Sequence, residues 1–404
     1  MQKKIDFKDQ DWLKSHIFDI LKFYYPICID KENGGYYSCY YDDGDLCPDP
    51  QKNLVGTCRF IYNFSIGYIL SGKSWCRDAA LHGLDFLQNH FLDRKNGGYY
   101  WILEGTKVKD SRKYTYGHAF ALLAATKALE AGFDFAKPII NNIYLTMEDY
   151  LFQSDYGLYI DGLTEDWKQL STYRGQNGNM HMCEALISAY EVTQEEKYLS
   201  RALLLAKNVT LQLTSQTGDM IWENYHSNWT VDWNYNKFNT KNDEIRPFGF
   251  IAGHSIEWSK LLVMLERYAP EPWILPKAEQ LYRLGMSKGW DNAFSGLYYS
   301  LYQNQPIDTD KYYWVQTEAI GASALLAVRT GNKQYWANYE VVFNYAWNFF
   351  VDHEFGGWFA TLSRDNKKLS NIKSSVSKAD YHPIENCFET IRALRLFPIK
   401  NALS

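Results

Sequence analysis

Apolar residues recur at helical spacing along nearly the whole chain, and the pattern itself repeats. Residues 116–132 (YGHAFALLAATKALEAG) and 179–192 (NMHMCEALISAYEV) start polar and continue apolar, the pattern of helices buried within a fold. Residues 246–264 (RPFGFIAGHSIEWSKLLVM) repeat the design. A Pro-Gly-rich lead-in stops before an apolar stripe of Trp258, Leu261, Leu262 and Met264. Residues 74–91, 200–212 and 272–288 read as second helices that follow such first helices.

Each first helix is preceded by a glycine and large, mostly aromatic residues: NGGYY, NGGYY, YGLY, TGDMIW, SGLYY and FGGWF. The last glycines of these turns are Gly35, Gly98, Gly157, Gly218, Gly296 and Gly357, at intervals of 63, 59, 61, 78 and 61 residues. A short aromatic piece after a glycine turn predicts a hairpin. Six units of two helices each are therefore predicted, with about 17 extra residues in the fourth, inside the polar, aromatic stretch 225–246. Six helix pairs close naturally into a ring, with buried inner helices, amphipathic outer helices and functional loops at one end. The expected fold is all-α, an (α/α)6 barrel with short β-hairpins at one end, spanning residues 1–404 as one catalytic domain. The alternative is an open helical solenoid. The concentration of His and Trp in pocket-like positions favours closure.

The start of each inner helix carries a polar, ionisable residue. Arg59, His118, His181, His254, Glu318 and His382 follow their repeat glycines by 24, 20, 24, 36, 22 and 25 residues, and 36 falls to near 19 once the insertion is discounted. In a ring these six converge at one end of the axis, which predicts a central polar pocket. His254 and Glu257 share one face of a first helical turn, where the helix dipole favours the neutral imidazole. The other histidines, His16, His82, His90, His226 and His353, are expected to be structural or on the surface. His226 lies in the insertion, the one segment expected to reach over the pocket.

Composition narrows the chemistry. The 404 residues are 46% hydrophobic and 17% aromatic, with 32 Tyr and 14 Trp. Such aromatic content suits packing first and stacking on sugar faces second. The net charge of −5, with no basic stripe, argues against nucleic acid. The charged start MQKKIDFKDQDW lacks a signal-peptide core, and no apolar run is long enough to span a bilayer. The seven cysteines show no CxxC pair, so reduced thiols in a cytoplasmic protein are expected. Three slots read His-x-x-Glu (His181/Glu184, His254/Glu257, His382/Glu385), which raises a metal reading akin to the Glu-x-x-His sites of bundles. The reversed order, the missing HExxH and an Arg in the same ring count against it. Glu184 and Glu385 are read as supports for neighbouring side chains.

Taken together, GQNGNMHMCEA (175–185), the GHSIEW of 253–258 and KADYHPIENCFE (378–389) resemble the N-x-N-M-H-x-x-E-A, GH-x-x-EW and K-x-DYH segments of the N-acylglucosamine 2-epimerase superfamily, the last that of its aldose–ketose isomerase branch. The resemblance runs from about Arg59 to Glu389, and TYGHAFALLAA and WVQTEA fit it as well. It implies an (α/α)6 barrel, no cofactor, no metal, and proton transfer at C2 of an open-chain monosaccharide. It implies His254, Glu257 and His382 as catalytic residues, and Arg59, Tyr116, Asn177, His181 and Trp314 as sugar contacts. His118 and Glu318 are added as substrate-binding residues from the slot register. Two departures stand out. Ala252 occupies a position where many relatives carry Pro. The approach SSVSKAD (374–380) lacks the Trp with which cellobiose epimerases stack a second sugar, which favours a monosaccharide.

The expected function is a sugar isomerase of the mannose/fructose type, working through a cis-enediol. Within the family the alternative is a 2-epimerase of N-acylglucosamine or cellobiose. Outside it stand an (α/α)6 glycoside hydrolase, which needs two carboxylates at glycosidase spacing with Glu257 and Glu318 as candidates, and a non-catalytic binding scaffold. Neutral bases near pH 7 suit abstraction of a proton alpha to a carbonyl, so the His-rich ring favours the isomerase. Homo-oligomerisation is left open by the sequence.

Overall fold

A computed structural model describes residues 5–237, 246–375 and 377–396. Among the described residues, twelve α-helices alternate between two rings. The inner ring holds α2 (Leu54–Ser71), α4 (Thr115–Glu130), α6 (Gln176–Thr193), α8 (Ala252–Glu266), α10 (Tyr313–Thr330) and α12 (Tyr381–Leu396). The outer ring holds α1 (Gln10–Tyr24), α3 (Ser74–Phe86), α5 (Ala136–Tyr150), α7 (Glu196–Lys207), α9 (Ile274–Gly289) and α11 (Lys333–Phe349). Each inner helix touches the next, and α12 touches α2, so the ring closes. The sixth pair is completed by the chain's first helix: α1 packs on α12.

Sequence explains the two rings. In α8 every residue but Glu266 is buried. In α5 only Ala136, Ile140, Ile143, Tyr144 and Met147 are, the spacing of a one-faced helix. The predicted bounds hold to within a turn. α7 begins four residues before the predicted start, and α3 and α7 each run on into a π-helical turn (Leu87–Phe91 and Asn208–Leu213).

All six repeat glycines have positive φ, between 64° and 78°, and turn the chain from an outer helix into its hairpin. In four units an aspartate just before that turn accepts two backbone N–H bonds and forms an ion pair with a buried lysine, with a direct hydrogen bond in all but the Asp291 unit. The ion pairs are Asp30–Lys52 (2.7 Å), Asp93–Lys113 (2.7 Å), Asp291–Lys311 (3.6 Å) and Asp352–Lys373 (2.6 Å). Each pins a hairpin to the strand that leads into the next inner helix. The first hairpin end also pairs with the last, Tyr40–Tyr41 on Ile372–Ser374, which closes the ring at that end.

One cysteine expectation is corrected. Cys39 and Cys47 form a disulfide, their Cα atoms 5.2 Å apart. The Tyr40–Leu46 bridge folds this loop back on itself and brings the two thiols together, a contact that spacing alone does not reveal. Cys28, Cys58, Cys76, Cys183 and Cys387 are free and buried. Among the described residues, no helix is long and apolar enough to cross a membrane.

Candidate active site

All six inner helices start at the hairpin end, so their positive dipole ends point at one place. A cavity of about 120 Å³ opens there. Arg59, Tyr116, Asn177, His181, His254, Glu257, Trp314 and His382 all line it, and Trp101, Thr361, Ser375, Ser377 and Lys378 stand on its wall.

The floor is a six-membered ring of side chains, one from each inner helix. Arg59, Phe120, His181, Glu257 and Glu318 each stand five residues after the first residue of their helix. The Arg59 guanidinium lies 4.5 Å from the Phe120 ring, and the Phe120 and His181 ring centres are 4.7 Å apart. His181 Nδ1 is 3.8 Å from Glu257 Oε1. Glu257, Glu318 and His382 present atoms within 4.8 Å of one another, and Arg59 Nη2 lies 3.5 Å from His382 Nε2, closing the circle.

Counting from the glycines placed His118 in this ring, and the structure corrects that. His118 is fully buried and does not line the cavity. Its Nε2 accepts from the Tyr99 N–H (3.0 Å) and its Nδ1–H donates to the Tyr114 carbonyl (2.8 Å). Asn179 and Gln316 hold the hairpins of units three and five in the same way, through Tyr159 and Leu297. Glu318 is in the ring but behind His382, not on the cavity wall. His226 is exposed beside Asp232 at 3.4 Å, and no described residue of 225–246 lines the cavity; residues 238–245 lie outside the described ones.

Three cavity histidines each turn Nδ1 to a carboxylate. His181 faces Glu184 (3.0 Å), His254 faces Glu223 (2.8 Å) and His382 faces Glu318 (2.7 Å). An Nδ1–H held this way leaves a lone pair on Nε2, toward the cavity. Glu223 was not singled out in the sequence, and Glu257, one turn from His254, is not that ring's partner. Gln176 donates to Glu223 (2.9 Å) and accepts from the Trp258 indole (2.8 Å), fixing the carboxylate. Trp314 lies between the two histidines of the adjoining units, its ring centre 5.0 Å from His254 and 5.8 Å from His382. A side chain at Gly253 would put Cβ 2.5 Å from the Trp314 ring, which is why the GH pair needs its glycine.

Burial holds the His382 imidazole down to about 4, helped by Arg59 and His181, and burial likewise lowers His181. Burial, then Glu318, pushes Glu257 well above the carboxylate range, and burial does the same to Glu385. Burial works against ionised Glu318 and Glu184 too. Lys260 and His382 nevertheless pull Glu318 down to about 2, and His181 and Lys260 lower Glu184. Two cations, Arg59 and Lys260, therefore stand with the carboxylates of Glu318 and Glu184, and burial favours the neutral acid at Glu257. Neither Glu257 oxygen has a hydrogen-bond partner among the described residues, nor has Asn177 Oδ1. These are groups that a polar ligand satisfies.

Two groups here, His181–Glu184–Glu257 and Glu257–Glu318–His382, have the spacing for a metal ion. Their surroundings do not fit one. Arg59 sits against His382, and Lys260 lies 2.8 Å from Glu318 Oε2. Either cation opposes a third positive charge.

A closed barrel of helix pairs, with neutral imidazoles and a cation around a polar cavity, defines a class of proton-transfer sites. The chain belongs to the N-acylglucosamine 2-epimerase (GlcNAc 2-epimerase) family, whose profile matches residues 35–386. The chain is 40% identical to the D-mannose isomerase of Marinomonas mediterranea over 96% of its own length and 99% of that protein. A crystal structure of a D-mannose isomerase superimposes with a TM-score of 0.94, at 40% identity, over 97% of this chain and all of the other. A cellobiose 2-epimerase from Bacillus thermoamylovorans, at 20% identity and a TM-score of 0.84 over 95% of this chain and 99% of that one, shares the fold.

Proposed function

We propose that the protein is an aldose–ketose isomerase that interconverts free mannose and fructose, or a close relative such as lyxose and its ketose, by moving a proton between C2 and C1. The observation that carries this reading is the set of three histidines with carboxylate-held Nδ1 and cavity-facing Nε2, beside a single guanidinium. The likeness to mannose isomerases over almost the whole chain supports the substrate class.

In this reading the pyranose is opened first. His254 Nε2 exchanges a proton with the ring oxygen or O1, held by Glu223. His382 Nε2 then removes the C2 proton. Burial lowers its pKa to about 4, so the ring is unprotonated and available as a base at neutral pH. Negative charge gathers on O1 of the cis-enediolate, where Arg59, protonated Glu257 and the six helix N-termini favour it. His382 returns the proton to C1 from the same face, and the hydroxyl proton of O2 passes to O1, so that C2 becomes the carbonyl and C1 carries the alcohol. Tyr116, Asn177, His181 and Trp314 position the sugar.

Ser375 and Ser377 stand on the wall where a stacking Trp would serve a second sugar, so a monosaccharide is the expected substrate. We include a cytoplasmic setting on the strength of five free buried thiols. The Cys39–Cys47 bridge argues for an oxidising one, and thiol alkylation in intact cells separates the two.

An NMR assay of free sugars in D2O tests the function. Mannose is expected to give fructose, with deuterium appearing at the exchanged carbon, and cellobiose to react poorly. Conversion of cellobiose to its 2-epimer with no ketose would move the protein to the epimerases.

A further inference from the structure

Lys260 lies on α8 one turn below Glu257, fully buried in the otherwise apolar or hydroxyl stretch 258–265. Burying an ammonium is costly, and an apolar residue of similar size would pack there at least as well. It does not line the cavity. Its Nζ is 2.8 Å from Glu318 Oε2 and 2.7 Å from Glu385 Oε2. The other oxygen of Glu318 accepts from His382 Nδ1 (2.7 Å) and from the Asn386 amide (2.8 Å). A continuous line therefore runs from Lys260 through Glu318 to His382 and the cavity. The other two histidine carboxylates are backed by neutral donors, Glu184 by the Tyr381 hydroxyl (2.7 Å) and Glu223 by the Gln176 amide (2.9 Å).

We propose that Lys260 is a positioning residue for the isomerisation: it touches no substrate, but holds Glu318 as a carboxylate and so keeps the single proton of His382 on Nδ1 and its Nε2 free. The inference rests on the reading above, in which His382 acts at C2.

The physical reason lies in the direction of one hydrogen bond. Without the ammonium, Glu318 is a carboxylate with no cation beside it, buried among the carboxyl groups of Glu257 and Glu385, and it takes up a proton. A protonated Glu318 donates to His382 Nδ1. The imidazole must then carry its own proton on Nε2, where the base needs a lone pair. The other groups facing His382 are Arg59 from α2, His181 from α6, Tyr313 from α10, Glu257 from α8 and its neighbour Tyr381. None of them replaces a cation behind Glu318.

The test compares the wild type with K260M, K260R and the double variant K260M/E385Q. The double variant removes the ammonium together with one carboxylate it contacts, and covers the case in which K260M does not fold. The readouts are kcat/KM for mannose against pH and the 15N shifts of the His382 imidazole, assigned by difference from H382N. In the wild type, His382 is expected to show a bare Nε2 at neutral pH and down to about pH 5. In K260M and in the double variant the acid limb is expected to move up by about one pH unit or more, the size typical of losing one close opposite charge. On the acid side of the moved limb, where the wild type still shows a bare Nε2, a proton should then be seen on Nε2, and K260R should restore the wild-type profile. An unmoved acid limb in either Lys260-less variant, or a wild-type His382 with its proton on Nε2, overturns the proposal. If the wild type turns over no free aldose, the isomerase reading fails, while the 15N tautomer still decides the role of Lys260.

Discussion

Glu223 Oε1 lies 2.8 Å from Nδ1 of His254, although the two residues are 31 positions apart and sit on a hairpin and a helix. The carboxylate nearest to His254 in sequence, Glu257, serves the cavity instead. Glu223→Gln is therefore expected to damage the enzyme more than its distance from the sugar suggests. A glutamine can offer N–H to Nδ1 and turn the ring's proton toward Nε2. A wrong tautomer and a lost acid–base group both cost on the order of 10²–10⁴-fold in kcat. Steady-state kinetics on mannose, with a CD spectrum to show the fold intact, measure this. A kcat within a few-fold of wild type would return the orienting role to another group.

His118 offers the opposite case. Its two ring nitrogens are engaged by the Tyr99 N–H and the Tyr114 carbonyl, the work that Gln316 performs on the Leu297 backbone. His118→Gln should keep kcat and KM near wild type. His118→Leu should lower stability by about 1–3 kcal/mol, because it leaves a buried backbone N–H unpaired. A large rise in KM for His118→Gln, without loss of stability, would make this residue a sugar contact after all.

How the fold and site were legible follows from these two histidines. The repeat glycines mark positions where the backbone must adopt positive φ, so they gave six units, the ring and the fourth-unit insertion. The hairpins differ in length, however, so counting from the glycines drifts by two or more residues at the helix. That drift put His118 where Phe120 stands and His254 where Glu257 stands. Counting from the helix starts gives the register in the first five inner helices, whereas α12 offers His382 one residue after its start. Glu223 and the four Asp–Lys pairs leave no such trace, since each joins a hairpin to a segment 20 to 31 residues away. Lys260 did leave one, a lone charge inside WSKLLVM, and its meaning appears only with Glu318 and Glu385 around it.

Acid stability carries a signature of the buried neutral histidines. Burial lowers His16, His118 and His382 from the ordinary 6.5 to about 4. The unfolded chain binds protons at these sites more readily, so their contribution is complete above pH 6.5 and is lost as the pH falls toward 4. Each can contribute a slope of up to roughly 1.4 kcal/mol per pH unit in that window. Urea midpoints should therefore drop steadily from pH 6.5 to 4.5, and less steeply in His118→Gln. A flat profile across this range would mean that these rings are already charged in the native protein.

Metal removal separates the two chemistries the carboxylates allow. With Arg59 against His382 and Lys260 against Glu318, the candidate metal positions already face positive charge. Exhaustive dialysis against EDTA is expected to leave the rate of mannose conversion essentially unchanged. Loss of activity that Mn²⁺, Zn²⁺ or Fe²⁺ restores would revive the metal reading.

In the proposed mechanism the two histidines beside Trp314 divide the reaction, and deuterium tells them apart. His382 is the one whose Nε2 lies beside the Arg59 guanidinium, so a proton it removes leaves its charge next to that cation. His382→Asn should abolish exchange at C2 while the protein stays folded and still binds fructose. His254 pairs with a carboxylate of the fourth hairpin and stands 5.0 Å from the Trp314 ring, and the proposed mechanism gives it ring opening. His254→Asn should also cripple turnover, by on the order of 10²–10⁴-fold for a pyranose. That loss should shrink for a sugar that cannot close a six-membered ring, because such a substrate presents more of its open-chain form. If His382→Asn keeps near-normal C2 exchange, the base is another group on the cavity floor, with Glu257 the first to replace. If His254→Asn is equally slow with both kinds of sugar, its work lies in the proton transfer rather than in opening the ring.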